Sequence, residues 1–331
     1  MGTKITNDDN VGLLLAVWLA NDEYNHSSNP KLISATTLLK PIRANVLARQ
    51  NMGAAKVMDV MALVPSRLGT AIHDSVEKAW SNLDNVKNII KSMGIQEALV
   101  ERIVINPETV NKDDIPIYIE IRTEKDINGW TVSGAFDAVM DGQVHDIKST
   151  SVWTHIFGSN DIKYVQQGSI YKWLNPTIIT GDLIQIEHVF TDWSAVKARS
   201  DHRYPQKRIL DKQLELMSVV DTEAFIVGKL KQLDKLIPIT DQSLLPECTD
   251  EELWRENDVY KYYKPNKAGV ITYARSNKNC TDYTSAEAHR ISQGVGEVVE
   301  VKGGVKACKY CSVRELCDQY RELKVMGQIK D

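Results

Sequence analysis

Between Ile115 and Arg122 the chain alternates strictly: Ile115, Ile117, Ile119 and Ile121 fall on one face of an extended backbone. That period of two predicts a strand with one face in a core. Alternation resumes at Trp130 and runs to Thr150, interrupted by Asp141-Gly142, a two-residue turn signal that predicts a hairpin. A helix is expected at about Ile162–Leu174 and a further strand at about Leu183–Phe190. Upstream, residues 7–60 read as helical. Asp8 and Asp9 can cap a helix through Val11, Leu14, Leu15, Trp18 and Leu19, and Ser34, Thr36 and Thr37 offer a second start. From Ser66 the positions Gly69, Ile72, His73, Val76, Glu77 and Trp80 predict a longer helix. Helix, three strands, helix and strand make an α/β core of about 140 residues. Downstream, Ile209, Leu210, Leu214, Met217, Val220, Ile226, Leu230 and Leu233 predict one long amphipathic helix over 206–236. Beyond Pro238 the pattern becomes irregular, with too few apolar runs to bury much core.

The hairpin carries chemistry. If Asp141-Gly142 closes it, paired positions sum to 283, and Asp137 faces Asp146 at about 4.5–5.5 Å between Cβ atoms. Facing carboxylates repel, and a divalent cation with oxygen ligands is the natural compensation. Lys148, two residues beyond Asp146, points to the same face. Two carboxylates, a cation and an adjacent ammonium suit attack on a phosphodiester.

Composition narrows the classes. The chain has 331 residues, 43% hydrophobic and 25% charged, ordinary values for a globular protein of one large or two smaller domains. A net charge of −4 argues against general coating of nucleic acid. No apolar run approaches the ~18–20 residues of a membrane span, so no membrane association is expected. No GxxxxGK[ST] stretch is present, which excludes a P-loop motor. Five cysteines, three of them clustered near the end, point to a metal or cluster site in a reducing compartment, hence a cytoplasmic protein.

Four stretches in order, GTAIHDSVEKAW, GAFDAV, HDIKST and QQGSIYKWL, resemble the PD-(D/E)XK nucleases of the RecB-like branch, over about residues 66–175. The resemblance implies a restriction-endonuclease-like α/β core at 61–205, between a helical region at 1–60 and a stapled region at 206–331. It implies His73, Asp137, Asp146 and the Ile147 carbonyl as ligands of Mg²⁺ or Mn²⁺. Lys148 would position or help deprotonate the attacking water. Gln167 and Tyr171, four residues apart on one helix face, would line the DNA path. Glu77, one turn after His73, could orient that ring or be a solvated charge. Lys163, Tyr164 and Lys172 add basic and aromatic character, as do Lys197, Arg199, His202 and Arg203 after the last core strand.

Cys308, Cys311 and Cys317 have C-x2-C-x5-C spacing, which suits zinc or an iron–sulfur cluster once a fourth ligand joins. Cys248 and Cys280 are the candidates, and Cys248 has the better context. In iron–sulfur nucleases of this kind the distant cysteine usually precedes the core. The resemblance makes [4Fe–4S] the first expectation; here no cysteine precedes residue 248, a departure from that pattern which keeps Zn²⁺ as the second. The implied function is a metal-dependent exonuclease of phage-type recombination, replication or repair, in the host cytoplasm if phage-encoded. It would act on linear duplex ends or single strands, with a single-strand annealing protein as a partner or as a homo-oligomer. The alternatives are a structure-specific endonuclease and a non-catalytic DNA-binding scaffold.

Overall fold

The computed structural model describes residues 4–21, 29–53 and 57–329. The chain forms two compact units. One comprises Met1–Lys40 and Met52–Gln232, the other Pro41–Asn51 and Leu233–Asp331.

The first unit is built on a mixed seven-stranded sheet flanked by helices, as a restriction-endonuclease-like core requires. Its strands are β1 (Leu32–Ser34), β2 (Ile103–Ile105), β3 (Ile115–Ile127), β4 (Trp130–Met140), β5 (Gln143–Thr150), β6 (Leu183–Phe190) and β7 (Ile209–Glu215). The order is β2-β3-β4-β5-β6-β7, with β1 parallel to the start of β4. The helices used below are α1 (Val60–Trp80), α2 (Val152–Phe157), α3 (Asp161–Leu174), α4 (Ala195–Ser200) and α5 (Val219–Leu236).

Two tight hairpins set the register. Asp141 and Gly142 have φ of 50° and 73°, and Asn128 and Gly129 have 51° and 72°. Both pairs adopt the left-handed turn that matches strand twist. The first turn pairs Ala138 with His145 and Met140 with Gln143, the expected register. The second pairs Ile127 with Trp130 and carries β3 along the whole of β4. Between β5 and β6, α2 and α3 form the crossover that a parallel pair needs. Helix α3 seats close to the sheet because two positions lack a side chain. A Cβ at Gly134 would stand 2.8 Å from Leu174 Cδ1, and one at Gly168 would stand 2.7 Å from Ile184 Cδ1. That approach brings Gln167 to Asp146 of β5 and Tyr171 against Gly134 of β4.

Three expectations are corrected. The 7–60 region is not purely helical: Lys4–Thr6 pairs with Val57–Asp59 and Leu32–Ser34 joins the main sheet. These strands have three residues each, too short to show a period. Residues 206–236 are not one helix. Leu210, Lys212 and Leu214 are half-buried while Ile209, Asp211, Gln213 and Glu215 are exposed, a period of two that a mixed apolar run conceals. That segment is the edge strand β7, and only Val219–Leu236 is helical.

The third correction lies in the second unit, which is not irregular beyond Pro238. It has an antiparallel sheet of Lys278–Cys280, Val259–Tyr263 and Glu297–Val301, with the helix Tyr283–Gln293 packed on it. A separate small core gathers Leu253, Val305 and Leu323.

Candidate active site

The two hairpins bring three carboxylates from adjacent strands to one place. Glu120 of β3 would pair with Asp137 of β4, since Ile119 faces Ala138 and Ile121 faces Phe136. The ladder skips that one pair, because Glu120 has φ of +50°. A non-glycine residue in this region costs about 1–3 kcal/mol and persists only where its surroundings enforce it. The expected direct ladder pair between Asp137 and Asp146 is also not made. Instead Asp137 Oδ2 accepts a hydrogen bond from Ile147 N at 2.7 Å.

Helix α1 brings His73 to the other side of this row. Its Nδ1 lies 3.2 Å from Asp137 Oδ1 and 3.8 Å from Glu120 Oε1. Its Nε2 lies 3.1 Å from the Ile147 carbonyl oxygen. Ligand atoms of His73, Glu120 and Asp137 all fall within 4.8 Å of one another. Hydrogen bonds to Asp137 and Glu120 push His73 up to about 10. With both nitrogens donating, the imidazolium supplies the positive charge that this carboxylate group needs. A metal ligand must be the neutral ring, so a bound cation would displace that proton. The two groups that the resemblance puts on one metal, His73 and the Ile147 carbonyl, are here bonded to each other. The face of His73 toward Glu120 and Asp137 is its Nδ1.

Asp146 is fully buried. Its Oδ1 accepts from Gln167 Nε2 at 3.2 Å, and the same amide donates to the Tyr171 hydroxyl at 2.7 Å. Its Oδ2 is 2.5 Å from Lys148 Nζ, yet the approach makes no aligned hydrogen bond among the described residues. A group of carboxylate oxygens and an imidazole within ligand distance of one another, beside the buried Asp146 carboxylate, has the donor chemistry of a divalent-cation site. Burial pushes Asp146 upward, against the pull of Lys148. Burial would lower Lys148, but the charges of Asp146 and Asp137 outweigh it and hold the ammonium protonated. Burial and the nearby Asp146 charge also raise Tyr171.

The row opens on a cleft of about 240 Å³, lined by His73, Glu77, Trp80, Glu120, Asp137, His145 and Glu187. Glu77 therefore faces the same space as the carboxylates. His145 Nδ1 pairs with Glu187 Oε1 at 2.9 Å on the cleft wall. Lys172 is turned away, bonded to Asp182 and the Gly181 carbonyl, and Tyr164 is buried. Sequence reasoning missed Glu120. The signal was present in Asn128-Gly129, because a hairpin closed there places Glu120 opposite Asp137.

In the second unit, Cys248 and Cys308 are half-buried against Leu253, Val305 and Leu323. Burial pushes Cys248 up to about 12, with further repulsion from Glu252 and from Cys317, Cys311 and Cys308. Burial, Cys311 and Cys317 push Cys308 up to about 11. The charges of Cys308, Cys311 and Cys317 add to the cost of ionising Cys248, a cost that a bound cation would reverse. Gln319 clamps Cys248, accepting from its N–H at 2.9 Å and donating to its carbonyl at 3.0 Å. Arg43 Nε donates to Cys317 Sγ at 3.3 Å. Cys280 lies in the three-stranded sheet, paired with Tyr260.

No protein-family model matches the chain, and no curated protein matches it. Among solved structures, the crystal structure of SSO0001 aligns over 67% of this chain and 84% of its own, with 17% identity and a TM-score of 0.40. A phage-related exonuclease from Haemophilus somnus 129PT aligns over 36% of this chain and 60% of its own, with 20% identity and a TM-score of 0.26. An alkaline exonuclease (LHK-Exo) from Laribacter hongkongensis aligns over the same shares, 36% and 60%, with 17% identity and a TM-score of 0.23. The chain thus spans less than two thirds of either exonuclease. Overlaps this partial carry no chemistry, and the functional argument rests on the site itself.

The raised pKa of His73 has a checkable sign. Stability from its carboxylate contacts is fully present below the free-histidine value of about 6.5. It is lost as pH rises through about 10. Metal-free wild type should exceed His73→Gln by about 1–3 kcal/mol near pH 6. Urea unfolding should show that gap closing toward about pH 11. A gap that stays constant or widens with pH contradicts the assignment.

Proposed function

We propose that this protein is a divalent-metal-dependent nuclease that hydrolyses phosphodiester bonds of DNA, of the PD-(D/E)XK type and its RecB-like branch. One observation carries the reading: the His73, Glu120 and Asp137 ligand group adjoins a buried Asp146–Lys148 ion pair. A structural ion pair needs no second cluster of ligand atoms beside it, whereas phosphoryl chemistry needs both. His73, Glu120, Asp137 and the Asp146 carboxylate, whose Oδ2 is ion-paired with Lys148, would hold Mg²⁺ or Mn²⁺. Such a cation polarises the phosphoryl oxygen and acidifies a bound water. Lys148 stays protonated, so it acts as a hydrogen-bond donor that stabilises charge growing on the phosphate. Asp146, made more basic by burial, is the better acceptor for a water proton. Gln167 and Tyr171 hold Asp146 in orientation. Within this reading we favour exonuclease action on duplex ends or single strands.

End-labelled linear, circular and single-stranded DNA, each incubated with Mg²⁺ or Mn²⁺, tests the reading. Linear DNA should be degraded from its ends and circles spared. Asp137→Ala and Lys148→Ala should each lower the rate by roughly 10²–10⁴-fold. Undiminished cleavage in chelator, or by either variant, would remove the metal mechanism. Cut circles would favour an endonuclease, and no cleavage at all would favour a non-catalytic module.

We also propose that Cys248, Cys308, Cys311 and Cys317 hold one cofactor, a [4Fe–4S] cluster first and Zn²⁺ second. The support is their spacing, together with the packing of Cys248 and Cys308 against one small core and the effect of the other three thiols on Cys248. Binding energy there would be folding energy for the second unit. Elemental analysis of anaerobically purified protein should find iron or zinc. Cys248→Ser should lose the metal and Cys280→Ser should keep it. Metal-free wild-type protein would end the proposal.

A further inference from the structure

Helix α2 begins at Val152, two residues after β5 ends at Thr150, and it carries aromatic side chains that core packing leaves exposed. Trp153 is 46% exposed and Phe157 is 73% exposed. They stand one helical turn apart with centroids 5.9 Å apart and ring planes within 20°. The two rings stack in near-parallel planes and remain partly open to solvent.

The support beneath them is built. Ser151 donates to Asp192 Oδ2 at 2.7 Å and Val152 N donates to Asp192 Oδ1 at 2.8 Å, which ties the start of α2 to the turn after β6. Val152, Phe190, Ala198 and Tyr204 form a shared core under α2 and α4. Tyr204 meets the Trp153 ring edge-on at 6.4 Å, and its hydroxyl accepts from Ser194 N at 3.0 Å.

Charge sits beside the rings. Lys197 Nζ lies 5.7 Å from the Trp153 ring centroid and 6.0 Å from that of Tyr204. Arg199, on the same short helix, is exposed. Residues 192–212 contain six Lys and Arg against three Asp, a local +3 in a chain of net −4. Trp153 lies five residues beyond Lys148, so its Cα is within ~18 Å of that of the lysine.

We infer that Trp153 and Phe157 are a stacking platform for unpaired bases of a single-stranded nucleic acid segment, with Lys197 and Arg199 on its phosphates. Every base offers a π-face, so such a platform is tolerant of sequence, and the adjacent cations supply the salt-dependent share of affinity. An exposed aromatic–cation patch can also anchor a protein partner. The local positive charge and the closeness to the carboxylate row favour nucleic acid. The inference rests on the nuclease reading for the class of ligand, but not on cleavage.

The test is therefore binding of the full chain in chelator, where no hydrolysis occurs. Fluorescence anisotropy would compare a labelled oligo(dT) with a blunt duplex. Trp153→Ala and Phe157→Ala should each weaken oligo(dT) binding roughly 5- to 150-fold, the span of one stacked base. Blunt-duplex affinity should change less. Trp153→Phe should recover most of the loss, and Lys197→Ala should lower the salt slope by about 0.7. Phe157 is the more exposed ring, so its variant keeps the test sound if Trp153→Ala disturbs Tyr204. Unchanged oligo(dT) affinity in both alanine variants overturns the platform, and a protein partner becomes the better occupant. Equal losses for oligo(dT) and blunt duplex overturn it as well. Wild-type protein that binds neither ligand removes the nuclease reading along with it.

Discussion

Carboxylate repulsion is the constraint around which the first unit is arranged. Glu120, Asp137 and Asp146 arrive from three neighbouring strands, and like charges so placed oppose the sheet that brings them together. The metal-free protein answers with two cations, the His73 imidazolium on one side and the Lys148 ammonium on the other. The breaks in both ladders fall at the same row. β3 adopts a positive φ at Glu120, and Asp137 turns its carboxylate onto the Ile147 amide. Regular pairing is given up where charge collects.

The two tight turns were the most legible part of the chain. Asp141-Gly142 announced the β4–β5 hairpin and its register, and with it the neighbourhood of Asp137, Asp146 and Lys148. Asn128-Gly129 carried the same information for β3 and would have added Glu120, but an isoleucine-rich strand draws attention to its apolar face and away from the acid between. The contact of Gln167 with Asp146 was legible only as a shared helix face. Its actual partner depends on how closely α3 approaches the sheet, which the small side of Gly134 and Gly168 permits. What the sequence concealed was short or ambiguous. Three-residue strands have no period to read, and residues 209–216 satisfy a helical and an extended pattern about equally until burial decides between them.

The second unit follows a different logic. Its small core of Leu253, Val305 and Leu323 lies directly beside the thiols of Cys248 and Cys308. Burial makes those thiols poor thiolates by themselves, and neighbouring thiols push both the same way. A soft cation would resolve both penalties at once, as the proposed divalent cation would ease the crowding of carboxylates in the first unit.

The central claim is that the carboxylate row is built for a divalent cation. Titration calorimetry with Mn²⁺, run in buffers of different ionisation enthalpy, addresses it without reference to catalysis. Wild-type protein should bind Mn²⁺ with release of a proton from His73, and Glu120→Gln and Asp137→Asn should each weaken binding by roughly 10–100-fold. Binding that is unaffected by both substitutions, or that releases no proton near neutral pH, would contradict the account.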